Sequence, residues 1–193
     1  MPQIRYQVAM SLDGYIAGPK GEADWIIMDP DIDFADLFAQ FDTFLMGRQT
    51  FAVVGAMGSL APGTKTVVFS RTLRPEDHPG VTIVAEVSPE TVAPIRAQAV
   101  KDIWLFGGGA LFRSFLDAGL VDTVEVAVIP VLLGGGVPLL PQPASQTNLT
   151  LTGHRVYQTG IVLLEYRVKN RVSNERSQPA KARRASRPRR SAS

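Results

Sequence analysis

The chain has 193 residues, 45% of them hydrophobic and none of them cysteine, which supplies one packed core and rules out disulfides, thiolate nucleophiles and zinc–thiolate sites. The net charge of +2 hides an uneven distribution: residues 171–193 hold 8 basic groups and 1 acidic, a charge of +7, leaving 12 basic against 17 acidic groups, or −5, on residues 1–170. No apolar run reaches the roughly 18 residues that a membrane helix needs, and MPQIRYQVAM lacks the pattern of a secretory leader, so a cytoplasmic location is the expectation.

Ile4 to Met10 is an apolar run that predicts a buried strand, and Ser11 to Gly14 form a turn before Tyr15, Ile16 and Ala17. A loop at Gly18–Gly21 follows. Phe34, Leu37, Phe38 and Phe41 recur at i, i+3, i+4 and i+7, the apolar face of a helix, and Thr43 to Met46 reads as the next strand. Thr66–Phe69 and Val81–Ala85 are short β-rich runs. Pro89–Ala99 is helical in pattern, with Pro94 expected to start or kink it. Asp102 to Phe106 is a strand that stops at Gly107, Gly108 and Gly109, after which Ala110, Leu111, Phe112, Phe115 and Leu116 resume at helical spacing. Beyond it, Val121–Pro130, Leu149–Tyr157 and Ile161–Val168 are strands with no helical pattern between them.

The expected fold is therefore α/β: a mixed, mainly parallel sheet with helices on both faces, closed by an antiparallel C-terminal hairpin. Residues 1–170 form one domain. Residues 171–193, rich in Ser, Ala, Pro and Arg and free of aromatics, read as a disordered basic tail, either a solubilising extension or a segment that touches nucleic-acid phosphates.

Three strand ends share a chemistry. The glycine triplet before a helix bares backbone amides where the helix dipole favours anions, although a tight turn needing positive φ has the same sequence. Phe44–Met46 runs into Gly47, Arg48, Gln49 and Thr50, and Val67–Phe69 runs into Ser70, Arg71 and Thr72. Either arginine alone could be a surface ion pair. Two arginines with hydroxyls and a glycine-led helix, all at strand ends, point to a nucleotide with several phosphates.

These motifs, Val8-Ala9-Met10-Ser11-Leu12-Asp13-Gly14-Tyr15-Ile16-Ala17, Met46 to Thr50, Phe69 to Thr72, Gly107 to Gly109, and Pro130 to Gly134 with Gly136 and Pro138, resemble the dihydrofolate reductase-like superfamily. Within it the chain is most similar to the reductase domain of riboflavin biosynthesis and its stand-alone relatives. The resemblance implies a three-layer sandwich that binds NADPH. It implies that Gly107, Gly108, Gly109, Ala110 and Leu111 hold the pyrophosphate, with a cis Gly-Gly peptide. Arg48, Thr50, Ser70 and Arg71, with Gly47 and Thr72 beside them, would surround the adenosine 2′-phosphate and its neighbours, and Ala9, Ile16 and Ala17 would flank the nicotinamide.

On the substrate side, the lysine that usually precedes the SLDG serine by four residues is replaced by Gln7, and the DDPxLT segment is absent. Dihydrofolate reductase proper sets a carboxylate at the start of its first helix. Asp24, Asp29, Asp31 and Asp33 lie nearby in this chain, and Asp24, beside Trp25, is the catalytic candidate. Ser11, Asp13 and Trp25 are the substrate-side candidates: Asp13 is a proton donor or a turn residue, and Trp25 stacks on a heterocycle or fills the core. No metal site is expected. The expected activity is an NADPH-dependent reduction of a small nitrogen heterocycle of the riboflavin-pathway type, with dihydrofolate or pterin reduction, or nucleotide binding without turnover, as alternatives. A homodimer is a further expectation.

Overall fold

The computed structural model describes residues 1–57 and 63–169. The expected tail, residues 171–193, lies outside the described residues. Six strands and four helices alternate in the first two thirds of the chain: β1 Ile4–Ser11, β2 Tyr15–Ala17, α1 Phe34–Ala39, β3 Phe41–Gly47, α2 Arg48–Met57, β4 Lys65–Phe69, β5 Val81–Val84, α3 Pro89–Gln98, β6 Asp102–Gly107 and α4 Gly109–Asp117. The last third is β7 Thr123–Ile129, β8 Val137–Pro138, β9 Leu149–Val156 and β10 Val162–Val168.

Eight strands form one sheet in the order β5-β4-β3-β6-β1-β7-β10-β9, and β2 pairs with β8 in a separate two-stranded ribbon. From β5 to β7 every pairing is parallel, while β10 runs antiparallel to both β7 and β9. The hairpin therefore closes the sheet as expected.

Period-two alternation sorts the core into two layers. Leu45, Val67, Phe69, Ile103 and Leu105 face α3 and α4, whereas Phe44, Met46, Val68 and Trp104 face α1 and α2. A parallel strand covered on both faces must be apolar on both, which is why these runs show no polar alternation in sequence. Tyr6 stacks on Phe112 of α4 with ring centroids 3.8 Å apart, seating that helix under the central strand.

Three expectations are corrected. Phe41 continues the helical spacing but is the first residue of β3 and is buried against Trp104, because Gln40 already ends α1. Arg48 to Thr50 form the first turn of α2, for which the sequence carried no apolar periodicity strong enough to predict. Pro94 sits inside α3; the start is Pro89, behind the Ser88 and Thr91 capping box. Among the described residues no helix is long and apolar enough to cross a membrane.

Candidate functional site

Parallel register brings β4, β3, β6 and β1 to a common carboxyl edge. Gly47 lies opposite Phe69, and Met46 lies opposite Gly107. At this edge Gly107 has φ +116, a conformation open to glycine, and is joined to Gly108 by a cis peptide bond. Gly108 caps α4 with φ −82 and no side-chain hydrogen bond. A Cβ on Gly108 would stand 3.7 Å from Thr50 Oγ1 and 4.0 Å from Ile16 Cδ1, and one on Gly47 would be 3.9 Å from the Gly107 carbonyl oxygen. The turn after β1, the start of α2 and the glycine turn thus meet around one small space.

Within the triplet the three positions differ in purpose. The amides of Leu111 and Phe112 both donate to the Gly108 carbonyl, at 3.0 and 3.1 Å, and the Leu111 side chain is buried in the core. Leu111 is therefore committed to the fold, and the amides of Gly109 and Ala110 precede the first helical hydrogen bond. Gly109 is buried against the loop after β7, where a Cβ would come within 2.6 Å of the Pro138 carbonyl oxygen.

Arg48 and Arg71 are exposed. The ion pairs among the described residues involve Arg5 and Arg96, so neither strand-end arginine is spent on a carboxylate. Ser70 has a different duty from Arg71: its Oγ accepts from the amides of Thr72 and Leu73, at 3.2 and 3.1 Å, and so shapes the turn that presents the arginine.

Ser11 and Asp13 form a hub. The buried Ser11 hydroxyl donates to Asp13 Oδ1 at 2.6 Å and accepts from the Tyr15 amide at 2.9 Å. Asp13 in turn accepts from the Leu133 amide at 3.1 Å and the Gly134 amide at 2.7 Å, which pins the loop after β7 to the β1–β2 turn. The Ser11 hydroxyl, with those amides, holds the Asp13 carboxyl below its usual range. The same loop packs so closely that a Cβ on Gly136 would collide with the Ala17 carbonyl oxygen.

Beside this edge, on the α1 face of the sheet, lies a cavity of ≈ 370 Å³. Its floor is Ala9 and Ala127, which are register partners, with Trp104 and Leu163 on either side. Ile26, Ile27, Met28 and Phe34 roof it. Its polar groups are Gln7, Asp31, Asp33, Asp36, Gln40, Arg155 and Tyr157. Ala9 links the two regions.

Asp24 is exposed on the roof loop and is absent from the cavity wall, where Asp31, Asp33 and Asp36 stand instead. Asp33 caps α1, accepting from the Asp36 amide at 3.0 Å. Trp25 belongs to neither core layer and is not on the wall; its Nε1 donates to the Glu22 carbonyl at 3.0 Å. Asp29 is buried and latches the roof loop to the β9–β10 turn by accepting from the Thr159 hydroxyl at 2.7 Å and the Thr159 amide at 3.1 Å. The Thr159 hydroxyl is the main reason its carboxyl lies below the usual range. Arg155 and Tyr157 escaped the sequence reading because only the pairing of Arg155 with Leu163 carries β9 to the cavity.

Residues 2–163 match the profile of the RibD C-terminal domain. The uncharacterized protein YyaP of Bacillus subtilis is 36% identical over 177 residues, covering 85% of this chain and 94% of that protein. A Shewanella sp. PV-4 protein assigned to riboflavin biosynthesis superimposes with a TM-score of 0.73 at 28% identity, covering 88% of this chain and 99% of that one. The dihydrofolate reductase of Enterococcus faecalis, complexed with NADP(H), shares the fold with a TM-score of 0.62 at 18% identity, covering 86% of this chain and 96% of that one.

Proposed function

Because the chain belongs to the RibD C-terminal domain family, we propose that it is an NADPH-dependent reductase of a small nitrogen heterocycle, of the riboflavin-pathway type that converts a ribosylaminopyrimidine phosphate to its ribityl form. The observation that carries this reading is the convergence of Ile16, Thr50 and the glycine turn at the carboxyl edge of the sheet, where Arg48 and Arg71 enter no ion pair among the described residues, in a fold that also holds a largely apolar cavity over β1 and β7.

The residues fit the cofactor. A Cβ on Gly108 would fill the space where backbone meets Thr50, and the amides of Gly109 and Ala110 suit a pyrophosphate at the start of α4. Arg48 and Arg71 would hold the 2′-phosphate. Bound there, the cofactor supplies a hydride to an electrophilic carbon. The chain's own work is to lay the heterocycle flat on Ala9 and Ala127, exclude water with the Ile26–Met28 roof, and keep a proton source near the ribosyl group, whose ring C1′–O bond opens so that C1′ takes the hydride and the freed oxygen ends as a hydroxyl. Each turnover takes up one hydride and one proton.

A second reading, dihydrofolate or pterin reduction, draws on Asp33, a carboxylate at the start of α1 and on the cavity wall. Absorbance at 340 nm distinguishes the two. NADPH oxidation on adding 5-amino-6-(5-phosphoribosylamino)uracil or its dephosphorylated form, with none on adding dihydrofolate, is the expected result. Oxidation with dihydrofolate alone would establish the second reading, and none with any of them would leave a nucleotide-binding protein.

A further inference from the structure

We infer that the cavity takes a substrate without a phosphate group: a neutral or cationic, donor-rich heterocycle. This rests on the reductase reading above for the reaction and replaces its phosphorylated substrate by a class without the phosphate. Charge decides the matter. Asp31, Asp33 and Asp36 all line the cavity, and none of them enters an ion pair among the described residues. Arg155 is the one cation on the wall. Its guanidinium is stacked 4.5 Å from the centroid of the Tyr157 ring, and its field already acts on Asp29. The arginine is thus offset by the buried Asp29 next to it, Asp33 is answered by the start of α1 that it caps, and Asp31 and Asp36 have no basic side chain paired with them among the described residues.

Asp31, Asp33 and Asp36 are exposed, so a phosphate dianion entering this space would meet a net negative field that water weakens and added salt screens. A neutral ring with amino groups meets acceptors instead.

Gln7 is an independent observation to the same effect. Its Oε1 is buried on the cavity side of β1, yet it has no hydrogen-bond partner. Its backbone carbonyl is already used by Trp104 Nε1 at 3.0 Å, which fixes the strand beneath it. A buried amide oxygen without a donor is costly unless a ligand satisfies it. The group that can do so is an N–H or amino group on a ring edge, since a carboxamide carries no charge with which to hold a phosphate.

The probes are 5-amino-6-(5-phosphoribosylamino)uracil and the same molecule with its phosphate removed, each bound to the full chain with NADP⁺ present and followed by calorimetry, with NADPH oxidation measured in parallel. The dephosphorylated probe should bind at least tenfold more tightly, and the difference should sit in KM rather than kcat. Asp31→Asn with Asp36→Asn, which leaves the Asp33 cap intact, should shrink that preference at least threefold. Raising the salt should shrink it in the parent protein as well. Tighter binding of the phosphorylated probe, a preference unmoved by the double substitution, or no binding of either probe would each overturn the inference. Because binding is read without turnover, a preference for the dephosphorylated probe without NADPH oxidation would sink the reductase reading and leave the charge argument standing.

Discussion

Asp13 is held by one hydroxyl and two amides while exposed to water, so its carboxylate form is favoured by the folded state. A depressed folded pKa means the stabilisation is present above the unfolded value near 3.8 and is lost as pH falls through the lower folded value. Asp13→Asn should therefore lower the melting temperature at pH 7, and the gap from the parent should close as pH falls through the depressed folded value, below which both side chains are neutral. A gap that persists undiminished in acid would show that the carboxylate's charge is irrelevant to the loop. Tyr6 offers the reverse case: its ring is fully buried and its hydroxyl has no partner. Tyr6→Phe should leave stability unchanged or raise it by about 1 kcal/mol, as thermal melts would reveal, whereas a clear loss would mean the hydroxyl is bonded in solution. For the two strand-end arginines, Arg71→Ala or Arg48→Ala should weaken NADPH binding by about 1.5–3 kcal/mol while hardly touching NADH. Equal affinity of the parent protein for both cofactors would show that neither arginine reads the 2′-phosphate.

The glycine turn and the loop after β7 act as joined elements, and substitutions within them should separate binding from folding. Gly108 has an ordinary φ and room for a side chain, so Gly108→Val should fold with a native circular dichroism spectrum yet lose NADPH binding. Retained affinity would sink the phosphate role of this turn. Gly109→Ala, two atoms from the same place, should instead destabilise, because the Pro138 carbonyl has no space to retreat while Asp13 holds the loop. These contrasts also mark how far the sequence could be read. The β1, β6 and α4 pattern was legible because apolar runs and a glycine triplet are local signals, and the strand-end grouping followed from parallel topology. β8, two residues long, carried no periodicity and exists only through its pairing with β2. The three aspartates of the cavity wall were visible, but choosing among them needed the loop's path, which Asp29 sets through a partner 130 residues away. For that reason Asp24 lies off the cavity wall.

At the scale of the molecule, the charge division seen along the chain coincides with the end of the sheet. β10 finishes at Val168, and the Lys169 amide closes onto the Asn148 carbonyl at 3.0 Å. A chain ending at Asn170 is expected to keep its melting temperature and its NADPH affinity, since every element of the sheet and of the candidate site precedes it. Any nucleic-acid binding of the full chain should be steeply salt-dependent and vanish on truncation; a melting point several degrees lower would mean that residues 171–193 dock on the domain. The position of β1 has a different consequence. It lies between β6 and β7, and the Ile4 amide is tied to Asp122, 118 residues further on. On a ribosome, then, β1 must wait unpaired while β3, β4 and β5 are made, until β6 emerges about 100 residues later, and its second neighbour β7 comes later still. Joining the ends and reopening the chain in the turn between β5 and α3 would bring β1 nearer to β7 along the chain but carry β3 away from its partner β6. Such a permutant should fold to the same sheet without refolding faster than the parent, which stopped-flow fluorescence of Trp104 can measure.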